Sequence, residues 1–156
     1  MLKYECWNPG EGPFEKFKDF VIDNENLFEP SLAIRVNLEE YVHKMYYNGR
    51  KQFYLNDKDE IIACSVGYLN PAPSSSFGTY LLVLPEYESN GLGLDFVLNS
   101  LKYAKEIGSM AFKLKIRASN SMLIKCYKKL GFTITAENYF PNTDVLEYEM
   151  TKIFKH

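Results

Sequence analysis

Apolar and polar positions change period repeatedly along the chain, and each change marks an element. "KYECW" (residues 3–7) reads as a short strand closed by the turn signal "NPGEGP". From Phe14 to about Asn24, apolar Phe17, Phe20 and Val21 recur at helical spacing. "NENLFEPSLAIRV" (residues 24–36) has no sustained period and reads as an irregular connection. Asn37 followed by Glu40 is a capping box, opening a second helix with Leu38, Tyr41, Val42 and Met45 on one face. "KQFYLN" and "EIIACSVGYL" are strands joined as a hairpin through "DKDE". "NPAPSSS" is a loop, and "FGTYLLVL" is the next strand, stopped by Pro85. Val97, Leu98, Leu101 and Ala104 then share a helical face that ends near Gly108. "MAFKLKIRA" alternates as a half-buried strand. "SNSMLIKCYKKLG" is a short helix capped by Ser119 or Asn120 and stopped by Gly131. "FTITAENYF" and "VLEYEMTKI" are the last strands, joined through "PNTD".

This order, β-α-α-β-β-β-α-β-α-β-β, predicts an α/β fold built on one mixed sheet. Hairpin-joined strands run antiparallel, whereas the strand–helix–strand unit over residues 77–117 demands a parallel pair. Ligands tend to bind where such a sheet changes its wiring. With no repeat, low-complexity tract or linker, residues 1–156 read as a single domain.

Composition narrows the function. A chain that is 46% hydrophobic and 24% charged is an ordinary globular one, and a net charge of −2 supplies no basic field for duplex nucleic acid. Cys6, Cys64 and Cys126 are widely spaced and only His43 and His156 accompany them, so no metal site is expected. The N-terminus lacks an apolar signal segment and no run approaches a membrane span, so a reduced, cytoplasmic protein with no membrane partner is expected.

The chemistry concentrates in "YESNGLGLDF" (residues 87–96), where Gly91 and Gly93 stand at a strand-to-helix junction. Phe96 occupies the third glycine position of a dinucleotide fingerprint, and Leu94 and Asp95 stand where a P-loop has Lys and Ser/Thr. Both of those readings fail. What is left is a glycine loop entering a helix, which can hold an anion by backbone N–H groups alone or can be a purely structural turn.

A second segment decides between these. "VLPEYESNGLG" and, some thirty residues on, "NSMLIKCYKKLGF" together resemble the two signatures of the Gcn5-related N-acetyltransferase (GNAT) family. The resemblance implies a mostly antiparallel mixed sheet with one splayed parallel strand pair and flanking helices. It also implies acetyl-CoA as cosubstrate, lying in the splay. Carried over, backbone groups of Leu81, Leu82 and Val83 would pair with the pantetheine arm, and amides of Ser89, Asn90, Gly91, Leu92, Gly93 and Leu94 would cradle the pyrophosphate. Asn120 would contact the arm, and Tyr127 would lie near the thioester sulfur as the acid that protonates it. Leu123, Tyr127 and Leu130 also share a helical face, so packing alone accounts for a tyrosine there. Cys126 has no His or carboxylate at helical spacing to activate it as a nucleophile.

Two positions depart from the family pattern. Glu88 stands where Arg or Gln is usual; a charge pair about 6 Å apart in water repels by roughly 0.7 kcal/mol, a few-fold cost in cofactor affinity. Relatives that acetylate peptide N-termini carry "LEV" in the strand before the Asn, and this chain has "LKI", with Lys115 in place of the glutamate. The base is therefore unassigned, with His43, Glu86, Glu137 and Tyr139 candidates by type, and a well-hydrated amine can also lose its proton through water without one. The acceptor pocket is expected from "FEPSLAIRV", the following helix, "YLNPAPSSS" and "ENYFPNTD". The expectation is an N-acetyltransferase, monomer or homodimer, moving acetyl directly to a primary amine of a small molecule such as an amino sugar. The alternative is a non-catalytic acyl-CoA-binding or regulatory module.

Overall fold

The computed structural model describes residues 1–155. One seven-stranded sheet runs through it: β1 (Lys3–Trp7), β2 (Arg50–Leu55), β3 (Ile61–Tyr68), β4 (Ser76–Val83), β5 (Ala111–Arg117), β6 (Thr133–Tyr139) and β7 (Leu146–Ile153). The spatial order is β1-β2-β3-β4-β5-β7-β6, so β7 inserts between β5 and β6. Every neighbouring pair is antiparallel except β4 with β5.

Helices cover both faces. On one lie α1 (Phe14–Asp23) and α3 (Leu38–Asn48), whose Phe17, Val21, Val42 and Met45 are fully buried against Phe53, Cys64, Val66, Tyr80 and Leu82. On the other lie α4 (Leu92–Glu106) and α5 (Ser121–Lys129), packing Val97, Leu101, Ala104, Ile124 and Tyr127 onto Phe112, Leu114, Ile116 and Met150. Burial of each such large side chain stabilises by about 1.5–3 kcal/mol. Leu98, expected on the buried face of α4, is exposed instead. Phe96 and Ser100 are buried with Val97 and Leu101, which turns that face away from Leu98.

The connection over residues 24–36 is more ordered than its sequence pattern suggests. It holds a 3-10 turn (Glu25–Leu27) and the single-turn helix α2 (Leu32–Arg35). The Glu25 carboxylate accepts from the Ala33 amide at 3.1 Å and from the Ser31 hydroxyl, tying the two together. These polar bonds join the two turns, while Leu32, with Phe28 and Val36, anchors the segment to the core. At Asn37 the expected cap is present: its side chain accepts from the Glu40 amide at 3.1 Å.

A buried cation closes the C-terminal end of α3. Lys51 is fully buried on β2, and its ammonium donates to the carbonyls of Tyr46 (2.7 Å), Gly49 (2.9 Å) and Asn8 (3.2 Å). The first two belong to the helix end, where partial negative charge collects. Burial pushes its pKa down to about 8.

Candidate active site

The parallel pair is the structural irregularity on which the site depends. β4 and β5 share only three register pairs, ending at Gly78 with Leu114. The cause lies on the other edge of β4, where the register with β3 shifts between Val66 and Gly67, leaving Thr79 as an extra residue. Such a bulge bends its strand. Tyr41 of α3 fastens it, its hydroxyl donating to the Thr79 carbonyl at 2.7 Å and lying 2.8 Å from the Thr79 hydroxyl. β5 meanwhile follows β7 along its whole length, from Ala111 with Ile153 to Arg117 with Glu147. Beyond Gly78 the two strands therefore part, and a cleft of about 860 Å³ opens between them.

Leu81, Leu82, Val83, Asn120 and Tyr127 all line this cleft, as does Glu88. Leu81–Val83 remain paired with β3 on one edge, while their β5-facing edge carries no neighbouring strand. Ser89 to Leu94 do not line it. Ser89 and Asn90 end a 3-10 turn (Pro85–Asn90), Gly91 adopts the left-handed conformation (φ 72°), and Leu92, Gly93 and Leu94 form the first turn of α4. Amides of a first helical turn have no intrahelical acceptor, so an unsatisfied donor set lies beside Glu88. The Leu92 side chain packs into the core with Ile62, Ala63 and Phe96. At Gly93 an added Cβ would make only ordinary contact, 3.6 Å from Leu81 and 3.9 Å from Val83, so protein packing does not demand glycine there.

Asn120 caps α5, its Oδ1 accepting from the Leu123 amide at 3.3 Å. Tyr127 is 7% exposed and packs on Phe132 with ring centroids 5.5 Å apart. Its hydroxyl makes no hydrogen bond among the described residues. Burial, reinforced by Cys126, pushes its pKa up to about 12, so the phenol is protonated across the neutral range.

The opposite side of the cleft carries charge. By strand alternation, Lys115 and Arg117 of β5 and Glu147 of β7 project from the sheet face away from Leu114 and Ile116. The Glu147 side chain is only 6% exposed, and its carboxylate lies 3.7 Å from the Lys115 ammonium. Burial holds it above the usual carboxylate range, with Lys115 and then Arg35 pulling the other way. Arg35 of α2 stacks on Phe140 (4.6 Å) and Phe28 (5.5 Å). None of His43, Glu86, Glu137 and Tyr139 lines the cleft: His43 stacks on Tyr47 on the exposed side of α3, and the others are exposed on the 3-10 turn and β6. Glu147 is the carboxylate that sequence reasoning missed. Its one signal is the alternation of β7, which sets Glu147 and Glu149 on one face. Of the four segments expected around the acceptor, residues 28–36, α3 and residues 140–141 contribute lining residues. Residues 68–76 do not; Tyr68 and Asn70 line a separate, smaller pocket with Lys44.

Residues 17–132 match the family model described as "Acetyltransferase (GNAT) family". The chain belongs to the GNAT acetyltransferase family. An N-alpha-acetyltransferase of Sulfurisphaera tokodaii is 27% identical over 141 residues, covering 76% of this chain and 83% of that one. The ribosomal-protein-S18-alanine N-acetyltransferase from Escherichia coli superposes with a TM-score of 0.75 at 17% identity, over 100% of this chain and 96% of that one. An acetyltransferase from Bacillus anthracis, solved in complex with acetyl coenzyme A, superposes with a TM-score of 0.57 at 21% identity, over 69% and 64% of the two chains. The family accounts for the mixed sheet and its split, and makes this GNAT protein an N-acetyltransferase. Among the described residues no helix is long and apolar enough to cross a membrane, and no three His, Cys, Asp or Glu side chains cluster as a metal site would require.

Proposed function

We propose that this GNAT protein transfers acetyl from acetyl-CoA directly to the primary amine of a small molecule. The observation that carries the reading is the split between β4 and β5, with a free phenol facing it from one side of the sheet and a buried carboxylate from the other. The residues present suit the cosubstrate. The unpaired edge at Leu81–Val83 can bond the pantetheine amides as another strand would. The free first-turn amides of Leu92, Gly93 and Leu94, at the positive end of α4 and entered from the turn at residues 89–91, suit a pyrophosphate, and Asn120 lines the cleft that would hold the arm.

The chemistry follows from the same groups. An amine arrives as an ammonium and must lose a proton before it can attack. Glu147, made more basic than a solvated carboxylate by its burial, takes that proton in its ionised form and passes it to water. The thioester carbonyl oxygen gains charge during attack, and an amide of β4 near Val83 stabilises it without reorganisation. Tyr127 donates its hydrogen bond to the departing sulfur. The nitrogen's second proton ends on that sulfur, so one amide, one thiol and one released proton result. Lys115 stands where a relative's "LEV" glutamate would be, and its partner Glu147 supplies the carboxylate from the neighbouring strand.

Contacts across the acceptor end favour a small acceptor. The Asn142 side-chain amide donates to the Ile34 carbonyl at 3.1 Å, the Arg117 guanidinium donates to the Glu29 carboxylate at 2.9 Å, and Phe140 stacks on Arg35. The β6–β7 loop thus leans on residues 29–35, narrowing the route an extended peptide would need. The relative's name, N-alpha-acetyltransferase, supports a protein N-terminus as the second reading. Calorimetry with acetyl-CoA, followed by thiol release across small amines and peptide N-termini, tests all of this. Binding with turnover of small amines is expected. Binding without turnover would assign a non-catalytic acyl-CoA module, and faster turnover of peptides would assign the second reading.

A further inference from the structure

Arg35 stands out among the arginines as a cleft-lining guanidinium without an anion. Arg117 is paired with Glu29, and Arg50 stacks on Tyr103 away from the cleft. Arg35 makes no hydrogen bond or ion pair among the described residues, and its Nε is buried without an acceptor. Burying a guanidinium costs solvation that only a partner returns. Here burial is the main influence on Arg35, with Tyr41 and Glu147 opposing it.

The group is confined by aromatic rings on an element that is itself tied down. The guanidinium carbon lies over the Phe140 ring at 4.6 Å and the Phe28 ring at 5.5 Å, so two aromatic rings confine it while its N–H donors have no protein acceptor among the described residues. Its backbone is fixed on two sides: Ala33 bonds to Glu25, and the Ile34 carbonyl accepts from Asn142. A confined guanidinium with unsatisfied N–H donors suits a carboxylate, which can accept two of them at once. Glu147, of opposite charge, lines the same cleft and attracts Arg35 without forming an ion pair with it. A gap flanked by one cation and one anion fits a molecule carrying both charges in reverse.

We propose that the acceptor is an amino acid or related aminocarboxylic acid, its carboxylate bound by Arg35 and its amine directed to Glu147. This rests on the small-molecule acetyltransferase reading above and names the acceptor class. Arg35 is a specificity-determining residue, since it touches the acceptor away from the reacting nitrogen.

The test is acetyl transfer to matched pairs, each free amino acid against its carboxamide, with β-alanine and γ-aminobutyrate beside simple alkylamines. At least one carboxylate member is expected to exceed its carboxamide by about 10-fold or more in kcat/KM, the size of a hydrogen bond to a charged group. In Arg35→Met that preference should fall to within about 3-fold, mostly through KM, while acetyl-CoA affinity stays at the wild-type value. Arg35→Lys, which keeps the charge and loses the fork, should retain part of it. If carboxamides or simple amines are equal or better acceptors for the wild-type chain, the assignment is overturned, whether or not either variant folds. A preference that survives Arg35→Met overturns Arg35 as its source. Failure to bind acetyl-CoA would instead remove the underlying reading.

Discussion

Replacing Tyr127 by Phe removes one hydroxyl and should separate catalysis from folding. The ring is 7% exposed and packs on Phe132, contacts that a phenyl ring would keep. The hydroxyl has no protein partner among the described residues, so its loss orphans no buried group. Stability should change by less than about 0.5 kcal/mol, within about 2 °C in Tm. The catalytic cost follows from the pKa. At about 12, the phenol lies roughly 3.5 pK units above an ordinary thiol, so outright proton transfer to a thiolate is uphill by about 5 kcal/mol. Its contribution is then that of a hydrogen bond to a developing charge, about 1.5–3 kcal/mol, or a fall in kcat of about 10- to 150-fold. Steady-state thiol release at saturating acceptor measures kcat, and calorimetry measures the acetyl-CoA Kd, expected to be unchanged. A kcat within two-fold of wild type, in conditions where chemistry limits the rate, would refute the assignment. So would a Kd that weakens by the same factor as kcat, because the hydroxyl would then act on the ground state.

Other substitutions probe other parts of the site. Glu147→Gln should lower kcat/KM by about 10²–10⁴-fold near neutral pH. In the wild type, Glu147 must be ionised to accept a proton, so activity should fall with pH through a midpoint above the usual carboxylate value, and a pH–rate profile of Glu147→Gln should lack that limb. Gly93→Ala should stabilise the free chain by about 0.5–1 kcal/mol, since its Cβ meets only ordinary contacts in a helix, yet weaken acetyl-CoA in a calorimetric titration. Equal or better affinity would remove Gly93 from the pyrophosphate site. Glu88→Gln should tighten acetyl-CoA a few-fold, more at low salt than high, because an exposed charge beside the α4 amides is screened. Lys51→Met strips three buried carbonyls of their donor and should cost about 3 kcal/mol, a fall of roughly 6–12 °C in a thermal melt.

What the sequence made legible was whatever a local pattern encodes. Strand and helix periods gave the element order, the Asn37 cap and the parallel pair, since each depends on neighbours within a few residues. The candidate cofactor residues were nameable for a related reason. The glycine loop and the α5 segment are short contiguous motifs, and the strand–helix–strand connection brings Glu88, beside that loop, and Asn120 and Tyr127 to one cleft. Even there, the bulge at Thr79 that opens the split was not visible. It arises from how β3 and β4 pair, and nothing in "FGTYLLVL" marks one residue as extra.

Three of the four acceptor segments were foreseen, but Glu147 and Arg35 depend on contacts between segments far apart in sequence, and that is why neither was singled out. Glu147 becomes a cleft carboxylate only because β7 inserts beside β5, which sets it opposite Arg117 and 3.7 Å from Lys115. Sequence order alone would have paired β6 with β5 and left Glu147 one strand further out. Arg35 likewise sits in a stretch with no usable period, and its ring partners come from residues 28 and 140. The departure that the sequence did show, Lys115 in place of a glutamate, was readable as a loss. Its meaning depends on the partner strand. With Glu147 as the proposed base, the carboxylate that would take the amine's proton stands one strand over from Lys115, 3.7 Å from its ammonium, on the sheet face opposite Tyr127.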